Sequence, residues 1–382
     1  MKKTMQNLGV FLLAAVLLAG GAAAVEPPPE TSAASAILME ADGGTVLYES
    51  NADAQMLIAS TTKIMTALVV LEQCSPDEPV TVSAVHTAVE GSSMYLQPGQ
   101  TCTVEELLYG LMLVSGNDAA LALAEHTSGS VEGFAALMNE KAAALGCENT
   151  AFVNPHGLNA EGHYSSARDL ARIMAAAMEN ERFCSIAGAK TYTFGEQTYR
   201  NHNRLLWSCD GVIAGKTGYT MAAGRTLVSC AERNGMRLVC VTLGDPDDWV
   251  DHAALYDWGF ANYRPLRFER GEVQARLPVI SGLQQEAAVV LEEDAGLAVP
   301  IGTDYGVHLE APAFVFAGIR EGQYAGWLVV TCEGKELGRM KLVYAETIEM
   351  NENAALTGWE RVGRLWRLAN CCDVLCTHSG NK

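Results

Sequence analysis

The sequence predicts an α+β fold: an antiparallel sheet with flanking helices and an all-helical subdomain, then a small all-β domain and a C-terminal amphipathic helix. Three observations carry this. Strand signals stand at both ends of residues 33–262 with helical periodicity between them. Short alternating runs replace that periodicity over 264–349, and a last apolar stripe of helical period occupies 357–370. A chain of 382 residues is long enough for two cores.

Along the chain, Lys2 and Lys3 precede an apolar run over 8–18 and then Ala22-Ala23-Ala24, the three-part pattern of a secretory signal peptide over 1–24. The run is short for a membrane span, and Glu26-Pro27-Pro28-Pro29 offers no stop-transfer flank. Residues 25–32 read as a Pro-rich linker. Residues 36–39 and 45–48 flank Asp42-Gly43-Gly44, a hairpin turn. Apolar residues then recur at helical spacing over about 60–72, 104–114, 118–125, 131–145 and 167–178. Residues 211–219 suit a short strand, and 226–232 and 236–243 flank Arg233-Asn234-Gly235, the strongest short hairpin signal. Residues 252–263 read as a closing helix. The simplest assembly joins the two hairpins into one sheet with helices packed on it.

Past residue 264, the runs 287–291, 306–309, 327–331 and 340–344 are separated by turns such as Glu333-Gly334-Lys335 and read as strands. In the tail, Trp359, Val362, Leu365, Trp366 and Ala369 fall within a sector of roughly 120°, with Arg361, Arg364 and Arg367 opposite. That distribution suits a helix lying in a membrane interface, giving peripheral attachment at the outer face of the cytoplasmic membrane. The alternative is a helix docked on the protein's own acidic surface.

Composition excludes some functions. Forty-five acidic against 26 basic residues give a net charge of −19, which becomes −21 if Lys2 and Lys3 are removed with the signal. Such a chain lacks the cationic surface a nucleic-acid binder needs. Eleven cysteines in an exported protein raise the question of disulfides, but a chain of this size buries its own core without them. Cysteines such as Cys240 sit singly among apolar residues, as small core side chains do. Cys371, Cys372 and Cys376 lack the paired spacing and His partners of a zinc site, so neither metal nor cofactor is expected.

Three short motifs carry chemistry. In Ser60-Thr61-Thr62-Lys63, Ser60 starts a helix and Lys63 follows one turn later on the same face, beside Ile64, Met65, Leu68 and Val69. Desolvation there lowers the Lys63 pKa and lets a neutral amine act as general base for the Ser60 hydroxyl. The competing reading makes Ser60 a helix cap and lets Lys63 reach water. Ser115-Gly116-Asn117 breaks two very apolar helices; it is either a turn with Asp118 as N-cap, or a second hydroxyl and an amide offered to a substrate. Lys216-Thr217-Gly218 lies on a strand, where Gly218 leaves room for another backbone and the other two offer a cation and a hydroxyl to an anion. A solvated strand lysine is the alternative. Singly the first two motifs are common; the order and the boundary positions of all three raise the signal.

At these residues the sequence resembles the D-alanyl-D-alanine carboxypeptidases, the low-molecular-mass penicillin-binding proteins of the serine DD-peptidase family. Ala59-Ser60-Thr61-Thr62-Lys63-Ile64-Met65-Thr66, Ser115-Gly116-Asn117-Asp118 and Gly215-Lys216-Thr217-Gly218-Tyr219 carry the likeness, with Asn154-Pro155-His156-Gly157-Leu158 and Asn201-His202-Asn203-Arg204. The resemblance implies a DD-peptidase/β-lactamase-like fold and an acyl-enzyme mechanism. Ser60 would attack the terminal D-Ala-D-Ala bond of a peptidoglycan stem peptide, Lys63 would take its proton, and Ser115 would relay it. The N–H groups of Ser60 and Tyr219 would stabilise the oxyanion; Asn117, Lys216, Thr217, Gly218 and Tyr219 would bind substrate. β-Lactam antibiotics would acylate Ser60. One departure stands out: the Arg that many relatives carry shortly after the hairpin is missing from Asp245-Pro246-Asp247-Asp248-Trp249-Val250-Asp251-His252. The carboxylate must then rely on Lys216 and Thr217, or on Arg225 by another route. Two rival functions are a class A β-lactamase, for which no Glu-x-x-x-Asn lies between Ser115 and Lys216, and a non-catalytic wall-binding or penicillin-sensing module.

Overall fold

A computed structural model describes residues 26–351. The expected signal peptide and the amphipathic tail lie outside the described residues. Among the described residues no helix is long and apolar enough to cross a membrane.

The first hairpin forms as expected, β1 (Ser35–Glu40) with β2 (Val46–Ser50). The second is longer than its signal, β6 (Gly224–Arg233) with β7 (Met236–Leu243). They join through β1 and β7, and β5 (Val212–Thr220) adds to β6, giving an antiparallel sheet in the order β2-β1-β7-β6-β5. Strand β5 is therefore at an edge.

Both faces of this sheet are covered, so its central strands are apolar throughout, and period-two alternation sorts their side chains. Ile37 and Met39 of β1, with Val239 and Val241 of β7, enter the large core of the helical layer. Leu38, Leu238 and Cys240 point the other way and meet Leu255 and Tyr256 of the closing helix α7 (Asp248–Asn262). Cys240 is thus a core residue, as its neighbours implied.

The helical layer contains α1 (Lys63–Gln73), α2 (Val104–Leu113), α3 (Asn117–Ser128), α4 (Val131–Ala144), α5 (Ala167–Ala177) and α6 (Glu181–Gly188). Residues 63–70 of α1 are all buried, as befits a helix surrounded by others. Helix starts are set locally: a Thr103–Glu106 capping box opens α2, and the Ser166 Oγ accepts the Asp169 N–H at 3.1 Å to open α5.

Three expectations are corrected. The helical middle does not stop near residue 180; Asn180 caps a further helix, α6, and a hairpin follows, β3 (Thr191–Phe194) with β4 (Gln197–Arg200). Asp118 is not an N-cap: Gly116 holds that position, and the Asp118 carboxylate accepts the N–H groups of Met94 at 2.9 Å and Leu96 at 3.1 Å. Helix α7 starts at Asp248 rather than His252. Its acidic first turn reads as loop in sequence, yet each carboxylate has a partner there: Asp248 binds Arg225, and Asp251 accepts the Ser32 N–H at 2.6 Å.

After α7 the chain forms an all-β domain. β8 (Tyr263–Phe268) pairs with β11 (Ala295–Pro300). The larger sheet contains β9 (Val273–Ile280), β10 (Glu286–Leu291), β12 (Tyr305–Glu310), β13 (Val315–Phe316), β14 (Tyr324–Cys332) and β15 (Lys335–Tyr344), in the order β12-β14-β15-β10-β9-β13. Alternation along β11 joins the two cores, since Leu297 packs with Val289 and Leu328 while Ala298 packs with Leu38 and Leu255.

Candidate active site

Ser60 lies in a 3-10 turn, Ala59–Thr62, that runs directly into α1, and Lys63 is the first residue of the helix. The turn is fixed from within: Thr61 Oγ1 donates to the Ile58 carbonyl at 2.6 Å and Thr62 Oγ1 to the Ala59 carbonyl at 2.8 Å. Ala59 has φ +46°, a left-handed conformation that non-glycine residues adopt only where the surroundings enforce it. Part of that enforcement is Gly157, where an added Cβ would stand 1.9 Å from the Ala59 carbonyl oxygen. The cap reading of Ser60 fails, because the N-cap of α1 is Thr62. Its hydroxyl is left facing Lys63, with Nζ at 3.0 Å.

Lys63 is fully buried and does not reach water. Its amine has three acceptors: the Ser60 hydroxyl, Asn117 Oδ1 at 2.8 Å and the His156 carbonyl at 2.6 Å. Burial, and then the charge of Lys216, hold its pKa well below the lysine range, with Asp118 opposing in part. An amine that has lost one proton keeps two donors and gains a lone pair. The two shorter contacts take the two donors, which turns the lone pair towards the Ser60 hydroxyl.

Asn117 is engaged at both ends of its amide, since Nδ2 donates to the Glu90 carbonyl at 2.7 Å. It orients Lys63 rather than lining the cleft. Ser115 is different: its buried Oγ lacks a hydrogen-bond partner among the described residues, and its backbone is held at φ +62°. A buried hydroxyl without a partner is rare and points to one supplied from outside. Two histidines behind the site are not candidates for proton transfer. Burial, and then the charge of Lys63, depress His156 to about 3 and His163 to about 4.

The opposite wall is the end of β5. Lys216 is buried, with its pKa lowered to about 7 by loss of solvent, and among the described residues its Nζ donates only to the Thr217 carbonyl, at 2.9 Å. Gly218 passes so close to the nucleophile turn that an added Cβ would stand 2.9 Å from the Ser60 nitrogen and 2.4 Å from Thr226 Oγ1. Glycine is required for that approach. The Tyr219 side chain is exposed at the cleft mouth.

Between the walls runs a cleft of about 930 Å³, bordered by Ser60, Ser115, Thr217, Gly218 and Tyr219. Of the residues expected in the site, Lys63, Asn117 and Lys216 stand behind this lining and support it. Arg225 stands at its rim in a two-point pair with Asp248, Nη2 to Oδ1 at 2.6 Å and Nε to Oδ2 at 3.1 Å, its guanidinium lying over the Trp249 ring. The cleft's remaining wall includes Asn201, His202 and Arg204, from a segment that carries part of the family likeness but was given no role in the site. It comes from β4 and the turn after it, with Arg200, Arg204 and Trp207, and Arg200 stacks over the Trp207 ring at 4.8 Å. The aromatic-basic pattern of residues 199–207 was the available signal.

Comparison with known proteins gives the family and the fold. The family model described as D-alanyl-D-alanine carboxypeptidase matches residues 22–247. The chain is 33% identical over 331 residues to the D-alanyl-D-alanine carboxypeptidase DacF of Bacillus subtilis, covering 82% of this chain and 85% of that one. It is 35% identical over 337 residues to DacC of Escherichia coli, covering 82% and 83%. Penicillin-binding protein 5 from Haemophilus influenzae superposes with a TM-score of 0.78 at 32% identity, over 85% of this chain and 99% of that one.

Proposed function

The chain belongs to the D-alanyl-D-alanine carboxypeptidase family, and from that premise we propose that Ser60 is the nucleophile of a serine D-Ala-D-Ala carboxypeptidase with Lys63 as its base. The substrate is a peptidoglycan stem peptide ending in D-Ala-D-Ala. Ser60 Oγ attacks the carbonyl carbon of the penultimate D-Ala, and its proton passes to Lys63. The C–N bond then breaks, and the terminal D-alanine leaves with a proton delivered through the unpartnered Ser115 hydroxyl. Water hydrolyses the ester, regenerating Ser60 and releasing the shortened peptide. The N–H groups of Ser60 and Tyr219 stabilise the oxyanion, a contribution of about 3–4 kcal/mol per donor in such sites. Lys216 and Thr217 receive the terminal carboxylate, with Arg225 at the rim. Asn117 holds Lys63, and Gly218 admits the chain.

The observation that carries this reading is the pair of short acceptors on Lys63, Asn117 Oδ1 and the His156 carbonyl, which leave its lone pair for Ser60. The test is release of D-alanine from a D-Ala-D-Ala-ended peptide by the protein and by Ser60→Ala. Release unaffected by the substitution would sink the assignment.

β-Lactams are expected to acylate Ser60 and leave slowly. The only carboxylate bordering the cleft among the described residues is Asp248, which is committed to Arg225 and unsuited to activating a deacylating water. Fast turnover of a chromogenic β-lactam would favour the β-lactamase reading instead. We further propose that residues 357–370 attach the exported protein to the outer face of the cytoplasmic membrane. Deleting 351–382 is expected to release it from membranes with peptidase activity intact.

A further inference from the structure

The helices that carry the site hold a second group of side chains at their other ends. Lys63 opens α1 and Asn117 opens α3; Cys74 caps the end of α1, and His126 lies in the last turn of α3. The turn between Ser75 and Glu78 brings a carboxylate to the same place. One donor atom from each of Cys74, Glu78 and His126 lies within 4.8 Å of the others. We propose that these three residues bind a divalent transition-metal ion of the zinc class, with water in the fourth position.

The ligand set supports this assignment. Thiolate, imidazole and carboxylate together select zinc-like ions over magnesium or calcium, which take oxygen alone. Ligand atoms about 2.0–2.3 Å from a tetrahedral metal lie on the order of 3.5 Å apart, so the group closes by side-chain rotation. The atoms around it are arranged to leave the ligands available. The Ser75 N–H donates to Glu78 Oε1 at 2.6 Å, fixing the carboxylate as an outer-shell bond does, while Oε2 faces His126 Nε2 at 3.0 Å. Thr127 Oγ1 donates to the Leu123 carbonyl at 2.7 Å, so the Cys74 thiol 3.4 Å away gives Thr127 its hydrogen and keeps its sulfur lone pairs unused. His126 and Glu78 are partly exposed, which provides the way in. On binding, the thiol proton leaves to solvent and the His126 ring proton resides on Nδ1.

An eleven-residue helix is about 16 Å long, so an ion there is too distant from Ser60 to join the chemistry. It fastens α1 to α3 at the ends away from the site. The test uses the full chain with Co²⁺ and Zn²⁺. One Co²⁺ per chain with a thiolate charge-transfer band is expected, lost in Cys74→Ser and in His126→Gln but kept when Cys371, Cys372 and Cys376 are all changed to Ser. Zn²⁺ is expected to raise the melting temperature of the parent and not of Cys74→Ser, with β-lactam acylation equal in both to report intact folding. A cobalt band that survives Cys74→Ser, one that disappears with the tail cysteines, or no binding by the folded chain would overturn the proposal.

Discussion

Two buried lysines face the same cleft from opposite walls and are built differently. Lys63, at the head of α1, has three acceptors within 3.0 Å. Lys216, on β5, has one, a carbonyl of its own neighbour. Both are stripped of water, and in both this favours the neutral amine. The difference lies in what surrounds them. The α1 corner is complete without substrate and already aims a lone pair at Ser60. The β5 corner has donors to spare, which an incoming anion could take. On the mechanism proposed above, one lysine is a base and the other a receptor.

The largest effects test the base. Lys63→Arg keeps a basic side chain of similar reach but cannot give up its proton at working pH. Lys63→Gln removes the base altogether. Either is expected to lower β-lactam acylation, followed by mass spectrometry, by about a thousandfold or more. A Lys63→Arg enzyme within tenfold of the parent would erase the contrast.

Next is the receptor. Lys216→Gln should raise KM for a D-Ala-D-Ala peptide by about ten- to a hundredfold, the worth of one charge-assisted hydrogen bond, and alter kcat far less. A peptide amidated at its C-terminus should be handled equally by both enzymes. If the amidated peptide still distinguishes them, Lys216 does more than receive a carboxylate.

The two corners should also separate by pH. The kcat/KM of the free enzyme rises as Lys63 loses its proton, at a pH well below the ordinary 10.5, and falls as Lys216 loses its own near about 7. The falling limb should disappear with the amidated peptide. His156 and His163 are expected to add no limb between pH 5 and 8, because both stay neutral there.

The smallest effect is on stability, and it should have opposite signs. Lys63→Met orphans the buried Asn117 and His156 oxygens and is expected to destabilise by about 1–3 kcal/mol per orphaned acceptor. Lys216→Met removes a desolvated cation and should stabilise by about 1 kcal/mol. The folded pKa of Lys216 lies below its unfolded value, so the unfolded chain binds more protons between about pH 7 and 10.5, and stability rises with pH across that window. The gain from Lys216→Met is therefore full below pH 7 and gone above 10.5. Urea melts at pH 6 and 10 would show it.

Much of this comparison was legible in the sequence, for physical reasons. The i to i+3 spacing of Ser60 and Lys63 places them on one helix face, and the apolar run after them fixes which side is dry. The glycine beside Lys216 and Thr217 marks where two backbones approach. Other parts were hidden. The His156 carbonyl that takes one Lys63 donor is main chain, and no side-chain pattern advertises it. Asp118 looks like a cap and instead holds the segment 93–96, a choice made by tertiary contact. The acidic turn at 245–251 reads as loop because its partners, Ser32 and Arg225, are far away in sequence. Cys74 and Glu78 are near neighbours, but His126 lies 48 residues beyond Glu78, past α2 and most of α3, so spacing could not unite all three.

The edge position of β5 has one more consequence. Its partner β6 uses the backbone groups on one side only, so alternate N–H and C=O groups of Lys216 to Thr220 have no strand beyond them among the described residues. An extended peptide can add there as a sixth strand, held by hydrogen bonds that do not depend on its side chains. Any tolerance for substrate side chains would then be a property of the sheet. N-methylating the substrate amides that pair with β5 should weaken binding, whereas changing the side chains between them should matter much less.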